Sequence, residues 1–407
     1  MARPKKVNKT IVYVCSIIAL IVGLAVGMVG CVYFSNPASF VIPNKLTNSV
    51  TTEMGDINVD LVKSKDLSIH FLELGNKYTG DCTFIKVGET EILIDAGSRA
   101  SSVSVIDGYI KEYVQGALDY VIVTHAHQDH YAGFATGLNQ QSIFDLYADA
   151  GIGTVIEFAK YNQKETSTMF SNYKREKQEL VDKTTDNGSP TKIVTALDCV
   201  NGTNGASRVY NLSSDVRLEI LYHKYYEEEA HSENDYSVCC QIVQGTGASA
   251  KYYLFTGDLE DKGELSLVDG YATKHGKNDG MLHEVELYKA GHHGSKTSSS
   301  AELLSVIKPK HVCVCCCAGS SEYTKTAENQ FPTKEFIDRI APYTAEVFVT
   351  SLCIDYKEDK FTSMNGNIVV CSNTGEKTAI YCSNNTTRLK DTDWFKQNRV
   401  TPPAWAS

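Results

Sequence analysis

The stretch that decides the fold is LDYVIVTHAHQDH, residues 118–130. Its first six residues are mostly apolar, which predicts a buried β-strand that runs into a polar loop. His125, His127, Asp129 and His130 follow directly after this strand. In an extended or turning loop the first two side chains project together, whereas the other two lie further along and can face a second ion. Because imidazole and carboxylate groups are ligands for zinc, manganese and iron, the stretch predicts a metal site.

Two later segments also place metal-binding side chains at the end of a predicted strand. KAGHHGS, residues 289–295, contains His292 and His293, and FTGD, residues 255–258, ends on Asp258. Each segment alone is a weak signal, since an aspartate at a strand end more often caps a turn. In this order along the chain, the three segments together predict a two-metal site.

The chain around these segments alternates strands and helices, so we predict an α/β (α+β) fold. Close-spaced hairpins fill residues 67–97, and residues 101–117 have apolar side chains at helical spacing. Residues 155–190 are amphipathic and charged, which predicts a helix. Further strands and helices follow, and we assign residues 65–383 to one domain.

These segments resemble the metallo-β-lactamase superfamily, and more narrowly the hydrolase domain of the bacterial competence DNA-uptake protein ComEC. The resemblance covers about residues 67–375 and rests on six ordered segments: IHFLELGNKYTGDCTFIKVGETEILIDAG, THAHQDHYAG, ENDYSVCCQIV, LFTGDLE, YKAGHHGSKTS and GNIVVCS. It implies an αββα sandwich, in which two sheets lie back to back with helices outside and metal ions at one edge. It also implies a metal-dependent hydrolase.

The resemblance further implies two divalent metal ions, zinc or alternatively manganese. The implied ligands are His125, His127, Asp129, His130, Asp258 and His293. Asp258 would bridge the two ions, and His292 is the alternative to His293 as a ligand. Asp95 would orient the first two histidines. A hydroxide that bridges the ions would attack a phosphorus or carbonyl centre.

The sequence departs from the family pattern at two points. Many members supply a further histidine between the first motif and the bridging aspartate, where this chain has HSENDYS. The missing ligand is His231, Asn234 or water, and Asn234 is alternatively a residue that hydrogen-bonds the substrate. A Tyr-Gly-His-Pro segment of the family is replaced by NQFP, residues 329–332, so the role of that histidine is absent. The residues with predicted catalytic roles are Asp129, Asn234 and His292.

The N-terminal part of the sequence predicts a membrane anchor. Residues 1–10 hold four basic side chains and no acid, and the 24 residues 11–34 hold no charge. As a helix this run would span about 36 Å, enough to cross a hydrocarbon core of about 30 Å. The positive-inside rule then places the N-terminus in the cytosol and the body outside the cell membrane. The alternative is a lipoprotein that carries its lipid on Cys31.

Two polar segments flank the predicted domain. Residues 35–64 contain prolines, asparagines and threonines, which predicts a linker that leaves the membrane. Residues 384–407 are polar and contain a Pro-Pro pair, which predicts a loose polar tail.

Composition limits the partners of the chain. The 407 residues carry a net charge of −10, and four basic residues lie in the first ten, so the body is more acidic still. Because affinity for long nucleic acids comes largely from Lys and Arg at phosphates, a nucleic acid is expected only as a substrate. The 13 cysteines include the run VCVCCC, residues 312–317. Adjacent residues of a strand point to opposite faces, so we interpret this run as a buried strand rather than a metal site.

Together these features predict an exported, membrane-anchored, metal-dependent hydrolase with an extracellular catalytic domain. The predicted substrate is a phosphodiester, such as a nucleic acid, a nucleotide or a cell-wall phosphodiester. The alternatives are a hydrolase of a lactam, lactone or thioester, and a metal-binding module without turnover. The predicted partners are the substrate and the membrane.

Overall fold

Two mixed β-sheets form the core of this computed structural model, which describes residues 52–75, 77, 80–114, 116–137, 140–164, 167–272 and 276–406. The strands of the first sheet are β1 Glu53–Asp56, β2 Leu67–Phe71, β3 Thr83–Val87, β4 Thr90–Ile94, β5 Leu118–Val123, β6 Ile152–Glu157, β7 Lys192–Thr195, β16 Ile368–Ser372 and β17 Ala379–Cys382. The strands of the second sheet are β8 Val209–Asn211, β9 Val216–Leu221, β10 Cys239–Gln244, β11 Lys251–Phe255, β12 Leu287–Lys289, β13 His311–Ala318, β14 Val347–Asp355 and β15 Lys360–Ser363. The first sheet has the order β1-β17-β16-β2-β3-β4-β5-β6-β7, and the second has the order β15-β14-β13-β12-β11-β10-β9-β8.

The strands that carry the predicted metal motifs run parallel to their neighbours. In the first sheet β4 to β7 are parallel, with Leu93 opposite Val121. In the second sheet β11 to β14 are parallel, with Leu254 opposite Tyr288. Because the carboxyl ends of parallel strands meet at one edge of a sheet, the segments after β4, β5, β11 and β12 come close together there.

Helices of the described residues flank the two sheets. Their bounds are α1 Val59–Lys63, α2 Ala100–Ile110, α3 Gln128–Tyr131, α4 Ile143–Tyr147, α5 Thr168–Asp186, α6 Ala196–Asn201, α7 Asp261–Ala272, α8 Ala301–Ile307, α9 Lys334–Ile340 and α10 Asp393–Asn398. The longest, α5, begins where the Ser167 side chain accepts a hydrogen bond from the Phe170 amide. It buries Phe170, Tyr173 and Leu180, which lie on one face at helical spacing.

The two sheets pack face to face, and helices cover their outer sides. Every residue of β2 is buried, because both faces of this strand are covered. On its inner face the Phe71 ring lies 6.4 Å from the Phe255 ring of the second sheet. On its outer face His70 Nδ1 lies 2.9 Å from the Tyr109 hydroxyl of α2. The predicted two-sheet core of an αββα arrangement is therefore confirmed.

The predicted linker, residues 35–64, is folded in its last part. β1 pairs in parallel with β17, with Met54 opposite Ile380. The sequence of this edge strand, EMGD, is exposed at both ends and only partly buried between them. It therefore has neither the alternation nor the apolar run that predicts a strand. The folded body begins before residue 65.

The predicted loose tail, residues 384–407, is also folded. The buried rings of Phe395 and Trp405 lie 5.5 Å apart. The Trp405 indole N–H donates a hydrogen bond to the Thr344 carbonyl oxygen at 2.9 Å. A few apolar anchors hold this segment although its average composition is polar, and composition alone therefore gave the wrong interpretation.

Residues 155–190 do not form the single helix that their pattern predicted. β6 extends to Glu157, and α5 begins only at Thr168. Val155 and Ile156 are buried in a strand that pairs with β5 and β7. Two apolar residues in succession fit a buried strand and a helix equally well, so periodicity did not separate them.

The interpretation of the cysteine run as a buried strand is confirmed. All residues of β13 are buried, including Cys313, Cys315, Cys316 and Cys317. The predicted anchor, residues 11–34, lies outside the described residues. Within the part of the chain that the structure describes, no helix has the length and apolar character needed to span a bilayer.

Candidate metal centre

Five segments bring a buried polar side chain to one edge of the sandwich. Asp95 follows β4, His125 follows β5, Asp258 follows β11 and His293 follows β12, whereas Asp81 precedes β3. All five side chains are buried. The structure therefore brings together the three segments that the sequence assigned to one site, and it adds Asp81 to them.

Backbone hydrogen bonds hold these segments against one another. The Asp81 amide donates to the Asp129 carbonyl oxygen at 3.0 Å, and the Ala96 amide donates to the His130 carbonyl oxygen at 2.8 Å. Gly80 has a φ of +65°, and a Cβ atom at this position would collide with the Asp129 carbonyl oxygen. A glycine is therefore required where the two loops meet.

Four donor atoms from three of the segments converge on one point. His130 Nε2 lies 3.1 Å from Asp258 Oδ2. His293 Nε2 lies 3.4 Å from the same oxygen and 3.3 Å from Asp129 Oδ2. With metal–ligand bonds of about 2.0–2.2 Å, ligands of one tetrahedral ion lie about 3.3–3.6 Å apart. The observed distances are close to that range.

One of these four atoms, His293 Nε2, is buried without a hydrogen-bond partner, and so is the second carboxylate oxygen of Asp258, Oδ1. Such atoms are rare, because burial removes their hydration without compensation. An imidazole nitrogen and a carboxylate oxygen are both accepted by zinc and by manganese. The donor set therefore fits a divalent cation at this point.

Asp81 was not predicted as a site residue, yet it belongs to this centre. Its carboxylate forms a buried group with His130, Asp258 and His293, in which the possible ligand atoms lie within 4.8 Å of one another. It approaches the histidines from their Nδ1 side, at 3.2 Å for His293 and 4.0 Å for His130. Lys289 forms a buried ion pair with it. We conclude that Asp81 stabilises the His293 ring electrostatically from its Nδ1 side, whereas the Nδ1 of His130 is occupied by Asp95, and that both Nε2 atoms are left for an ion.

Asp95 fixes the first motif mainly through Thr124. One carboxylate oxygen accepts from the Thr124 amide at 2.8 Å, and the other accepts from the Thr124 hydroxyl at 2.7 Å. The second oxygen also lies 2.8 Å from His130 Nδ1. The Thr124 hydroxyl in turn lies 3.1 Å from His125 Nδ1. Asp95 therefore contacts His130 directly and reaches His125 through one hydroxyl group.

His125 and His127 form a second pair of possible ligands beside the first group. His125 Nε2 lies 3.1 Å from His127 Nδ1, so the two ring nitrogens face each other. The Ser237 hydroxyl lies 3.3 Å from the other nitrogen of His125, Nδ1. One nitrogen of each ring is thus directed to a common point, where it could bind a second ion.

His125 differs in charge from His130 and His293 when no metal ion is bound. Burial lowers the pKa of His125 well below its usual value, so this imidazole is neutral. Burial also opposes charging of His130 and His293, but the surrounding carboxylates, with Asp258 foremost, outweigh it and raise both pKa values. A metal ion bound to these two rings would therefore displace protons.

The segment GHHG turns sharply and separates its two histidines. His292 and His293 have φ values of 47° and 54°, in the left-handed region that strains residues with a Cβ atom. His293 points inward, and its Nδ1 lies 2.9 Å from the Cys315 carbonyl oxygen. His292 is partly exposed, with Nδ1 2.9 Å from the Thr297 hydroxyl and Nε2 3.9 Å from an Asp258 oxygen. The geometry favours His293 as the ligand and leaves His292 free to meet a substrate.

Asn234 lies beside His292 at the rim of the centre. Its amide nitrogen donates to Glu260 Oε1 at 3.0 Å and lies 3.5 Å from His292 Nδ1. Its side-chain oxygen is buried without a hydrogen-bond partner. His231 is exposed. Of the two side chains predicted as alternatives for the missing ligand, Asn234 is the one that lies at the site.

A cleft of about 290 Å³ opens over the donor atoms. It is lined by Ser98, His127, Gln128, Asp129, Asp258, His292 and Tyr323. This volume is near the lower end of the range for small-molecule sites, about 300 Å³. Ser98 and Tyr323 were not predicted from the sequence, because neither belongs to a motif with metal ligands.

Residues 75–143 match the sequence model of the family described as the metallo-beta-lactamase superfamily. This segment contains Asp81, Asp95 and the whole HAHQDH motif. The match confirms the resemblance that the sequence predicted, together with the class of enzyme that it implies, a metal-dependent hydrolase.

A curated relative and solved structures resemble the chain more distantly. The competence protein ComA of Neisseria gonorrhoeae is 32% identical over 126 residues, which are 31% of this chain and 16% of that protein. The metallo-beta-lactamase fold protein YhfI of Bacillus subtilis has 10% identity and a TM-score of 0.36, and covers 70% of this chain and 95% of its own. The short form of human tRNase Z has 12% identity and a TM-score of 0.33, and covers 69% of this chain and 91% of its own.

Proposed function

We propose that the chain is a membrane-anchored, two-metal hydrolase of phosphodiesters. The observation that supports a hydrolase most strongly is the convergence of four donor atoms, three of them from buried side chains, beside a second imidazole pair and below an open cleft. The four donors belong to Asp129, His130, Asp258 and His293. Divalent ions at these donors would polarise a phosphoryl group and lower the pKa of an attacking water.

The residues at the rim of the cleft supply the remaining functions. His292 is held by Thr297 and exposes part of its ring to the cleft, so it can hydrogen-bond a leaving oxygen. Asn234 lies beside it and can direct its amide to a phosphoryl oxygen. Asp258 contacts His130 and His293 of one group and interacts electrostatically with His125 of the other, so it is the side chain that we expect to contact both ions.

The two segments of the ComEC-like resemblance favour a phosphodiester over a lactam, lactone or thioester. ENDYS supplies Asn234 and HHGS supplies His292, and the two side chains lie 3.5 Å apart, with His292 lining the cleft and Asn234 buried next to it. An amide and a neutral imidazole can each donate a hydrogen bond to a phosphoryl oxygen. The alternatives are a hydrolase of those other substrates and a metal-binding module without turnover.

Parallel assays of the full-length chain separate these alternatives. The chain is loaded with Zn²⁺ or Mn²⁺ and supplied with bis(p-nitrophenyl) phosphate, single-stranded DNA and a chromogenic β-lactam. We expect hydrolysis of the diester and none of the lactam. Hydrolysis of the lactam alone would replace the proposed substrate class, and metal binding without turnover of any of the substrates would favour the non-catalytic module.

We further propose that residues 11–34 anchor the chain in the cell membrane with the body outside. The support is the uncharged run of 24 residues, preceded by four basic side chains. Protease added to intact cells should then digest the body and leave a cytosolic control protein whole. A fully protected body would contradict this topology.

A further inference from the structure

An exposed aromatic side chain stands at the mouth of the cleft. Tyr323 is 63% exposed, although it is one of the residues that line the cleft. Its hydroxyl lies 3.5 Å from Asp129 Oδ2, at the outer limit of a hydrogen bond. So long a contact contributes little to the stability of the fold, and packing does not require the ring at this position.

Phe331 places a second ring between Tyr323 and the histidines. The Tyr323 and Phe331 ring centroids lie 5.4 Å apart at an angle of 42°. The Phe331 centroid lies 5.9 Å from the rings of both His292 and His293. Aromatic rings thus form a continuous wall from the donor atoms to the solvent.

One ring of this wall, that of Phe331, stands where the family pattern has a polar side chain. Phe331 occupies the histidine position in NQFP, the segment that stands where the resemblance expects Tyr-Gly-His-Pro. A phenyl ring has neither a donor nor an acceptor, so it cannot serve a substrate as an imidazole would. Phe331 does not itself line the cleft; it packs against Tyr323, which does, and the pair offers an aromatic surface on which a flat group can stack.

The backbone that carries the two rings is well anchored. The Gly319 amide donates to the Phe331 carbonyl oxygen at 2.9 Å, which closes the base of the loop. The Arg399 guanidinium donates to the carbonyl oxygens of Gln330 and Pro332 at 2.8 and 3.1 Å. Tyr323 therefore projects from a held loop, as a binding platform requires.

We infer that Tyr323 and Phe331 form a stacking subsite for a planar ring of the substrate. The substrate of the proposed reaction is then a diester in which one arm carries a nucleobase. This inference rests on the proposed phosphodiesterase function and assigns a specificity-determining role to Tyr323. Stacking of a base on an aromatic side chain tolerates different bases. The subsite therefore selects substrates that carry a base, whatever the identity of that base.

Two substrates with the same leaving group test the subsite. Thymidine 5′-(p-nitrophenyl phosphate) and methyl p-nitrophenyl phosphate both release p-nitrophenolate, and only the first carries a base. For the metal-loaded full-length chain we expect kcat/KM to be about tenfold higher for the thymidine diester. Tyr323→Leu should lower this ratio to about one, whereas Tyr323→Phe should keep it, because it retains the ring.

A matched variant and a binding measurement complete the test. Phe361 is an exposed aromatic residue of β15 that does not line the cleft, and Phe361→Ala should keep the wild-type ratio. Saturation-transfer NMR should show magnetisation passing from the protein to the base protons of thymidine 5′-monophosphate, and Tyr323→Leu should weaken it. Thermal melting of each variant checks that it is folded.

The outcomes separate this inference from the function on which it rests. Hydrolysis of both diesters at equal kcat/KM would overturn the subsite and leave the phosphodiesterase intact. A preference for the thymidine diester that survives in Tyr323→Leu would also overturn it. Failure to hydrolyse either diester, with verified metal content, would contradict the proposed function itself.

Discussion

The two halves of the metal centre are built in different ways. His125 and His127 lie two residues apart in one loop, and their ring nitrogens meet at 3.1 Å, with a contact from the distant Ser237 hydroxyl only to the other nitrogen of His125. His130 and His293 come from different sheets and meet through Asp258, at 3.1 and 3.4 Å. The first half is thus a local feature of the sequence, whereas the second exists only when both sheets are assembled.

Because of this difference, ligands in the two halves should contribute differently to activity and to the stability of the fold. His127, the partly exposed ligand in the local half, contributes to metal binding and little to the fold. A ligand in the second half is also part of a buried network of opposite charges, in which Asp81 and Lys289 take part. Removing one member of such a network leaves its partners buried and unpaired. The two halves should therefore respond differently to equivalent substitutions.

The largest effect is expected for Asp258→Asn, which removes the carboxylate placed between the halves. We expect turnover of bis(p-nitrophenyl) phosphate to fall by several orders of magnitude, because both ions lose a charged ligand. Steady-state kinetics of the zinc-loaded chain measures this loss. Asp261→Asn, an exposed residue at the start of α7, is the matched control and should keep wild-type turnover. Near-normal turnover in Asp258→Asn would reduce Asp258 to a turn residue.

A smaller effect distinguishes the two halves by stability. His293→Ala removes one positive partner from the buried carboxylates of Asp81 and Asp258, which keep only Lys289 and His130. This loss should destabilise the metal-free chain by up to about 3–5 kcal/mol. His127→Ala, in a partly exposed position, should cost about 1 kcal/mol or less. Denaturant unfolding measures both, with the exposed His231→Ala as the control. Equal losses for His293→Ala and His127→Ala would refute the distinction.

The smallest effect concerns the pH dependence of stability. It compares a histidine of the metal centre with a buried histidine outside the centre. Burial, assisted by the charge of Lys86, lowers the pKa of His70 to about 3. The unfolded chain therefore takes up a proton below pH 6.5 that the folded chain refuses, so His70 makes stability fall as the pH falls. Between the two pKa values, the free energy of unfolding changes by about 1.4 kcal/mol per pH unit because of His70.

In the metal-free chain, His130 has the opposite effect on the pH dependence of stability. Its pKa is raised, so its contribution to stability is present below pH 6.5 and is lost as the pH rises through the folded-state pKa.

We expect His70→Gln to flatten the loss of stability between pH 6.5 and 4.5, as measured by unfolding at several pH values. An unchanged slope in His70→Gln would show that the burial of His70 does not set its pKa.

The local half of the centre could be predicted from the sequence because its ligands are neighbours in the chain. The HAHQDH motif after an apolar strand named its ligands His125 and His127 directly, together with Asp129 and His130 of the other half. Strand periodicity also predicted most of the core, since apolar strands are buried on both faces in a layered fold. The resemblance then linked Asp258 and His293 to the motif.

The remaining features could not be predicted because they depend on contacts between distant segments. Asp81 looked like a turn residue in GNKYTGDC, and its role follows from the ion pair with Lys289, 208 positions later in the chain. The signal that could have found it was a lysine inside a buried strand, which requires a partner. Tyr323 has no motif at all, and its position over the cleft follows from the anchoring of its loop.

The measurement that tests the two-half centre most directly is the metal content of the full-length chain. Wild type, His127→Ala and Asp258→Asn are loaded with zinc, desalted and analysed by inductively coupled plasma mass spectrometry. We predict about two zinc ions per chain for wild type, about one for His127→Ala and fewer than about one for Asp258→Asn, because that carboxylate contacts both ions. A wild-type chain that binds one ion or none, or an Asp258→Asn chain that retains both, would contradict the account.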